Sequence, residues 1–416
     1  MQRITTQISV SKLRKSVKKC QSNEKLRVKG FPKAFTRKRR LSVIIIIIMI
    51  IRTINKSLQI MLDEITVENG VTNVSKQAFS QARQQINPEF IRELYDENAE
   101  YLAGEESVKT WKGKRVIAID GTTLAIENTP ELKEYFGCSG RGEKSATARA
   151  SLATDVFEGI AYDCRISPYK KSEVELADEH MKRLSEIGLC KSIILADRGY
   201  PSYEFMGNLL DNGFDFLIRI SRSWTTVISE IENCDSQFDY ELNGVRYDCR
   251  AVTIQLDNGE CEYLVTSLSR EVLSLDETKY LYSLRWNIET KYDFIKNKLE
   301  LENFSGKTRI AVMQDFYAAV LISNIAACAI SAADEEIEQA DSSKNLKHSR
   351  KTNRNYALSH IVRVFLTAMI ETDDKKRDKL FDQVYDFCER APLSVRPNRN
   401  PDRKVPRSKH FHIVKR

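Results

Sequence analysis

Signatures of disulfide scaffolds and zinc sites are scarce in this 416-residue sequence. The nine cysteines are an odd number without any CxxC pair, so we interpret them as reduced thiols of a cytosolic protein. The five histidines include no HxxxH pair, which argues against a zinc site. Only 16 glycines and 9 prolines occur, too few for a fibrous or wholly disordered chain. The composition predicts a globular protein, and the length predicts two to three domains at roughly 150 residues each.

A membrane-spanning segment is also missing from the pattern. One stretch imitates such a segment, Leu41–Ile51 (LSVIIIIIMII), but its 11 residues fall short of the roughly 20 that cross a bilayer. We predict a buried helix or strand there, with a membrane anchor as the less favoured alternative. We therefore expect no membrane partner.

The positive charge of the chain is concentrated at its amino terminus. Residues 1–40 hold 14 Lys and Arg against one acid, a net charge of +13, whereas the remainder is net −6. The tail 396–416 adds a second basic segment with eight basic residues and one acid. Basic segments on a slightly acidic body indicate a polyanion partner, because Lys and Arg release counterions from phosphates. Nucleic acid is the first interpretation and an anionic membrane the second, and a solvated, disordered leader is the alternative to both.

Two aspartates follow buried strands in the middle of the chain. The strand RVIAID ends at Asp120 and the strand SIILAD ends at Asp197, each shortly before a glycine. Further strand and helix patterns alternate from residue 148 to residue 220, which predicts a mixed α/β sheet. Open α/β sheets place their chemistry at the carboxyl ends of strands. A strand-terminal Asp before Gly is also a plain turn former, but two in one sheet favour a site.

A third acid lies on a segment with helical periodicity, Leu275–Leu301. At 100° per residue, five polar or aromatic side chains share an arc of about 100°: Tyr282, Arg285, Trp286, Glu289 and Lys296. The apolar residues of the segment fall on the neighbouring arc, which we expect to pack on the sheet. An ordinary solvent-facing stripe is the alternative interpretation.

Together the three carboxylates form a hypothesis about catalysis. Asp120, Asp197 and Glu289 are suited to hold two Mg²⁺ ions roughly 3.5–4 Å apart, which activate water or a 3′-hydroxyl and stabilise the leaving oxygen of a phosphodiester. Mutual repulsion of the three acids would be costly without metal. Mn²⁺ is expected to substitute for Mg²⁺. Arg285 and Lys296 would then touch the flanking phosphates, and Trp286 would stack on an extruded base.

The spacing Tyr282-x2-Arg285-x3-Glu289-x6-Lys296 resembles the YREK signature of the insertion-sequence-four (IS4) family of bacterial transposases. The blocks AIDGTTL around Asp120 and ADRGYPSYEF around Asp197 are similar to the two Asp blocks of that family. The resemblance implies an RNase H-like core with a β-rich insertion between the second Asp and the Glu. The 92-residue separation of Asp197 and Glu289 leaves room for it. By resemblance, Asp120, Asp197 and Glu289 are the metal ligands, while Tyr282, Arg285 and Lys296 contact transposon-end DNA.

We accordingly expect an α/β fold: an RNase H-like mixed sheet flanked by helices, with a β-rich insertion and a helical amino-terminal domain. The expected parts are a basic arm and helical DNA-binding domain (1–110), the first part of the catalytic core (111–220), a β-rich insertion (221–274), the second part of the core (275–335) and a basic carboxy-terminal region (336–416). Gly137–Lys144 lacks the adjacent Gly-Lys of a Walker loop, so we interpret it as a flexible basic loop near the active site.

The function implied is DNA transposition by metal-dependent cleavage at transposon ends followed by strand transfer. Expected partners are double-stranded DNA, namely terminal inverted repeats and target DNA, and a second copy of the chain in a synaptic homodimer. The expected location is the bacterial cytoplasm, at the nucleoid. An RNase H-like nuclease without strand transfer and a catalytically inactive DNA-binding derivative remain the alternatives.

Overall fold

The computed structural model describes residues 2–37, 41–51, 58–68, 74–140, 145–224, 235–256, 259–371 and 373–395. Residues 141–144 of the predicted basic loop, residues 257–258 of the predicted β-rich insertion and the basic tail 396–416 lie outside the described residues.

The helices are α1 (Gln2–Lys18), α2 (Val43–Ile51), α3 (Leu58–Glu68), α4 (Lys76–Arg83), α5 (Pro88–Ala103), α6 (Pro130–Phe136), α7 (Glu173–Glu186), α8 (Tyr203–Asp211), α9 (Leu275–Ser283), α10 (Trp286–Asp293), α11 (Arg309–Asp341), α12 (Arg354–Ile370) and α13 (Asp374–Arg390). The strands are β1 (Val116–Ala125), β2 (Cys138–Ser139), β3 (Ser145–Asp155), β4 (Ala161–Pro168), β5 (Ile193–Ala196), β6 (Asp215–Ile220), β7 (Asp235–Leu242), β8 (Val245–Gln255), β9 (Cys261–Thr266), β10 (Arg350–Lys351) and β11 (Leu393–Ser394).

The chain divides into two compact units. A helical unit comprises residues 1–102, 126–135 and 293–416, and a sheet-containing unit comprises residues 103–125 and 136–292. These boundaries differ from the expected ones, because α11 belongs to the helical unit although its sequence was assigned to the catalytic core. In that unit α11 packs against α1, α2, α12 and α13.

Nine strands of the sheet-containing unit form one mixed sheet within the described residues. The path runs β2-β3-β1-β5-β6-β9-β8-β7, and β4 also pairs with β3. β1, β5 and β6 are parallel neighbours, whereas the pairings of β3 with β1 and β4 are antiparallel. The predicted α/β class, with a mixed sheet flanked by helices, is confirmed.

The β-rich segment is not a separate module. Its strand β9 pairs antiparallel with β6, and β8 and β7 follow outward, so the segment extends the central sheet. The physical reason is that β6 would otherwise present a row of unpaired backbone groups at the sheet edge.

The helical unit contains the two amino-terminal features singled out in the sequence. The isoleucine run forms α2, in which seven residues are buried, so the prediction of a buried segment is confirmed. The basic arm is not a disordered leader, because its first half folds as α1. In α1 the side chains of Val10, Leu13 and Val17 are buried, while Lys12, Lys15 and Lys18 are exposed.

One helix of the described residues, α11, is long and apolar enough to cross a bilayer. Eighty-nine per cent of its apolar window is buried inside the structure.

The expected continuous helix from Leu275 to Leu301 is wrong. After the capping box of Ser274 and Glu277, α9 ends at Ser283, and a turn at Leu284–Arg285 precedes α10. In this turn the backbone hydrogen bonds join residues three apart, as in Arg285 N–H to Tyr282 O (3.0 Å). After α10, a π-helical turn follows at Phe294–Lys298. The tighter turn rotates each residue further than an α-helix does. The five polar or aromatic side chains therefore do not share the arc that was calculated for a uniform α-helix.

Candidate active site

The parallel pairing of β1 and β5 brings two of the predicted acids close together. Asp197 directly follows β5, as predicted. Asp120 lies inside β1 and not at its end, because the residues after it continue to pair with β3 as far as Ala125. The parallel pairing joins Ala118 with Leu195, and the same offset two residues further on places Asp120 beside Asp197. Neighbouring strands lie about 4.8 Å apart. Each carboxylate also accepts from the next N–H: Gly121 N to Asp120 Oδ1 is 2.9 Å, and Arg198 N to Asp197 Oδ1 is 2.6 Å. Both acids are thus fixed by backbone geometry.

The main chain of Asp120 is further held by two hydroxyl groups. Ser151 Oγ on β3 and the hydroxyl of Tyr292 on α10 both donate to its carbonyl oxygen, over 3.1 and 2.6 Å. Ser151 stands opposite Gly121 in the β1–β3 ladder. These bonds restrict the orientation of the peptide that carries the catalytic candidate.

A fully buried polar network contacts Ser151. His180 on α7 has its Nε2 2.9 Å from Ser151 Oγ and its Nδ1 2.7 Å from Asp163 Oδ2. Burial opposes ionisation of Asp163, but the hydrogen bond and charge of His180, together with Arg165, outweigh it and lower the pKa of Asp163. His180 and Asp163 are both 0% exposed, so the network supports the site and does not react with a large substrate.

Burial governs the charge of Asp120. It raises the pKa of that carboxyl to about 6, the nearby acids Glu173 and Asp197 act in the same direction, and the Arg285 guanidinium acts against them. Ionisation of this buried carboxyl is therefore unfavourable in the free protein. A bound cation would stabilise the ionised form, which is the form that binds metal.

The third acid is placed differently. Glu289 lies on α10 with its side chain 41% exposed, and its Oε1 is 3.0 Å from Arg285 Nη2. Burial works against the charge of Arg285, but Tyr282, Asp197 and Glu289 outweigh it and raise the pKa of the guanidinium. Arg285 therefore lies between the acid of the helix and those of the strands.

The predicted DNA contacts fall into three groups. Tyr282 and Arg285 are 3% and 4% exposed, so neither offers a surface to DNA in this conformation. Trp286 is 55% exposed, and its ring centre lies 5.7 Å from the guanidinium of Arg285. Lys296 is half-buried in the π turn of the helical unit. Of these four residues, only Trp286 is both exposed and next to the guanidinium of Arg285, which is the counter-ion of the acids.

The donor set fits a divalent cation in its chemistry, since carboxylate oxygens are the hard ligands that Mg²⁺ prefers. In the part of the chain that the structure describes, however, no three His, Cys, Asp or Glu side chains lie close enough together to hold one metal ion. The structure brings Asp120 and Asp197 to one edge and leaves Glu289 paired with Arg285. A shared three-acid metal site requires that pair to open.

Sequence reasoning missed two residues near the strand ends. Glu173, the first residue of α7, approaches Gly121 so closely that an added Cβ there would lie 2.7 Å from its Cδ. Tyr200 lies within the second Asp block, three residues after Asp197, and is 2% exposed. The available signals were the Ser172 cap ahead of Glu173 and the aromatic residue directly after ADRG.

Comparison with known proteins identifies the part of the chain that carries the three acids. The family model described as "Transposase DDE domain" matches residues 111–325, just over half of the chain.

One curated relative is "Putative transposase InsZ" of Escherichia coli (strain K12), 26% identical over 151 residues. The match covers 35% of this chain and 49% of the relative, so the chain spans about half the length of the curated relative that it matches. A solved structure, "Cryo-EM structure of piggyBac transposase synaptic complex with hairpin DNA (SNHP)", aligns with a TM-score of 0.45 and 12% identity. That alignment covers 89% of this chain and 80% of the other.

Proposed function

This chain belongs to the transposase DDE-domain family, and from that premise we propose that it is a DNA transposase of the IS4 type that cuts transposon ends and joins them to target DNA. The observation that carries the proposal is that Asp120, within β1, and Asp197, directly after β5, come together where these two parallel strands pair, inside the matched region. Two carboxylates fixed at one sheet edge are the minimum needed to hold a cation against a phosphodiester.

The residues that would hold the metal are Asp120, Asp197 and Glu289. We propose Mg²⁺, with Mn²⁺ able to substitute, because both accept carboxylate oxygens. When bound, a divalent ion supplies a stronger nucleophile and stabilises the leaving oxygen. The chain itself supplies position: Ser151 and Tyr292 hold the peptide of Asp120, and Arg285 holds Glu289.

The DNA partner is argued from charge and exposure. The exposed lysines of α1 form a basic face suited to a phosphate backbone. In the sheet-containing unit, exposed Trp286 is suited to stack on a base displaced near the cut. Arg285, Tyr282 and Lys296, the other members of the YREK spacing, would contact the ends only after the Arg285–Glu289 pair rearranges. We propose terminal inverted repeats and target DNA as substrates, a homodimer as the working form, and the bacterial nucleoid as its location.

The test uses the purified full chain, DNA carrying the inverted repeats that flank its gene, and Mg²⁺ or Mn²⁺. We expect cleaved ends and joined products from the wild type. Asp197→Asn should lower cleavage on the order of 10³-fold, while filter-binding affinity for the ends stays within about threefold, because the carboxylate is not a phosphate-binding group.

Three other results would contradict the proposal in distinct ways. Wild-type cleavage by Asp197→Asn would remove the metal assignment. Cleavage without joined products would indicate a nuclease, and end binding without any cleavage would indicate a catalytically inactive DNA-binding derivative.

A further inference from the structure

The segment that leads into α12 and forms its first half carries positive charge without acids. From Lys344 to Arg363 the chain has six Lys and Arg in 20 residues, and no Asp or Glu. Lys344 and Arg350 pair with Asp341. Among the described residues the other four basic residues form no ion pair, so their charge is available to a partner.

The next helix, α13, does contain acids, but they are confined to one side. At 100° per residue, five acids share an arc of about 120°: Asp374, Asp378, Asp382, Asp386 and Glu389. Phe387 lies about 100° beyond the nearest acid, and Lys376, Gln383 and Arg390 lie within about 60° of Phe387. The side of α13 that carries Phe387 is therefore acid-free and bears two cations.

The helix α12, which packs against α13, presents a similar side. By the same rotation Tyr356, His360 and Arg363 share an arc of about 60°. Tyr356 is 37% exposed, Arg363 is exposed and His360 is half-buried. Both helices belong to the helical unit. Each of them thus combines an aromatic ring with an exposed arginine.

The aromatic rings are in contact from one helix to the other. His360 stacks on Phe387 with the ring centres 4.2 Å apart and 22° between the planes, and Tyr356 makes an edge contact with His360 at 4.6 Å. The guanidinium of Arg390 lies 5.8 Å from the ring centre of Phe387. Burial and the charge of Arg363 lower the pKa of His360, so its ring is neutral at pH 7. We call these five residues the aromatic–basic surface.

Aromatic rings flanked by arginines are the combination that binds single-stranded nucleic acid. Unpaired bases stack on the rings, and cationic side chains follow the phosphates. The bases of a double helix are stacked on one another and do not offer their faces. A membrane surface fits less well, because interfacial binding inserts apolar side chains and Phe387 is half-buried in the stack.

We infer that the aromatic–basic surface of α12 and α13 binds single-stranded DNA, with an unpaired base stacked on Tyr356 and phosphates on Arg363 and Arg390. The inference goes beyond the proposed function, because it concerns the helical unit and needs no metal. It takes from the proposed function only the premise that the nucleic acid is DNA. Cleavage of one strand allows the nucleotides beside the cut to unpair, which gives such a surface a substrate.

Photocrosslinking of the full chain locates the contact. A single strand of about eight nucleotides carries 5-iodouracil, which on irradiation crosslinks to aromatic side chains that stack on it. Trypsin releases Tyr356 and His360 in the peptide 355–363, and Phe387 in the peptide 380–390. We expect crosslinks in these two peptides. A result in which neither peptide is crosslinked overturns the inference.

Fluorescence anisotropy with the same strand measures the affinity. Tyr356→Ala should raise the dissociation constant at least about fivefold, the lower end of the effect of removing one stacked ring. Tyr356→Phe retains the ring and should bind as the wild type does. Tyr135→Ala is the matched control, because Tyr135 is also 37% exposed and lies 4.5 Å from the guanidinium of Arg309. It should leave the affinity unchanged.

A duplex of the same sequence separates stacking from charge. Tyr356→Ala should leave duplex affinity unchanged, because the duplex offers no base face to the ring. Arg363→Gln should lower the slope of log affinity against log salt by about 0.7 for the single strand, the loss of one phosphate contact. Equal losses of single-strand and duplex binding in Tyr356→Ala, or equal losses in Tyr356→Ala and Tyr356→Phe, would contradict stacking.

The inference and the proposed function can fail separately. Trp286 is released in the tryptic peptide 286–291, so crosslinks in that peptide alone refute the aromatic–basic surface and leave the proposed function intact. Asp197→Asn should bind the single strand as the wild type does. Crosslinks in 355–363 and 380–390 without any cleavage of transposon ends by the wild type would refute the proposed function alone.

Two other occupants of the surface predict different results. Vesicles of phosphatidylserine and phosphatidylcholine that bind the wild type but not Tyr356→Ala, with no crosslink to DNA, would indicate a membrane surface. A smaller sedimentation mass for Tyr356→Ala than for the wild type, again with no crosslink, would indicate that the surface joins two copies of the chain. Either result overturns the inference.

Discussion

The strand-borne acids and the helix-borne acid are held by different means. Asp120 lies within β1 and Asp197 directly follows β5, so the pairing of these two parallel strands sets their level, and the N–H of the next residue binds each carboxylate. Glu289 lies on a short helix beyond a break, and it accepts a hydrogen bond from the side chain of Arg285. Hydrogen bonds between paired strands fix the position of a strand residue locally. The direction of a side chain on a helix depends instead on the rotation of every residue before it. Strand-end chemistry is therefore more directly predictable from sequence than chemistry on a long helical segment.

The largest expected effect tests whether the helix-borne acid belongs to the same site. Glu289→Gln should lower end cleavage on the order of 10³-fold, as Asp120→Asn should, if all three acids share the metal. The measurement is single-turnover cleavage of end DNA in Mg²⁺, with filter binding as the control for DNA affinity. Cleavage by Glu289→Gln at the wild-type rate would leave Glu289 as the partner of Arg285 alone.

An intermediate effect on stability tests how firmly the strand side is supported. His180→Phe removes the imidazole between Ser151 and Asp163 and leaves the buried carboxylate with Arg165 alone. Breaking a buried pair in this way costs about 3 kcal/mol, measured as the free energy of unfolding of the full chain in urea. Lys182→Gln, on the exposed side of the same helix, is the control and should change that free energy by less than about 0.5 kcal/mol. An equally small change for His180→Phe would contradict a supporting role for the network.

The smallest expected effect concerns the helical segment beyond the break. If Lys296 contacts one phosphate of the transposon end, Lys296→Ala should reduce the slope of log affinity against log salt by about 0.9. The measurement is filter binding over a series of salt concentrations. Lys298→Ala, two residues away and exposed, serves as the comparison. An unchanged slope for Lys296→Ala would remove Lys296 from the DNA contacts.

Much of the sheet-containing unit was predictable from local sequence. The short apolar runs before Asp120 and Asp197 both form strands where the pattern predicts them. The second strand ends just before Asp197, whereas the first continues through Asp120 to Ala125. In the helical unit, Ser75 caps α4 and Pro88 is the first residue of α5, in agreement with the local preferences of serine and proline at helix starts. These features depend on near neighbours in the chain, which is why a sequence pattern is sufficient for them.

The broken helix and the extended sheet were not predictable in the same way. The uniform rotation assumed for Leu275–Leu301 fails because Arg285 turns inward, where the charges of Asp197 and Glu289 compensate its burial. The β-rich segment joins β6 because a sheet edge needs a partner, and no local pattern says which edge is available. Both outcomes depend on residues that are distant in sequence.

Residue order alone determined the apolar strand segments before Asp120 and Asp197, the capped helix starts and the net charge of each segment, since these depend on composition or on interactions over a few residues. Tertiary packing decided which acids meet: it placed Asp120 level with Asp197, paired Glu289 with Arg285, and inserted Glu173 against Gly121. Burial and long-range charge control those contacts, and neither quantity exists until the chain has folded.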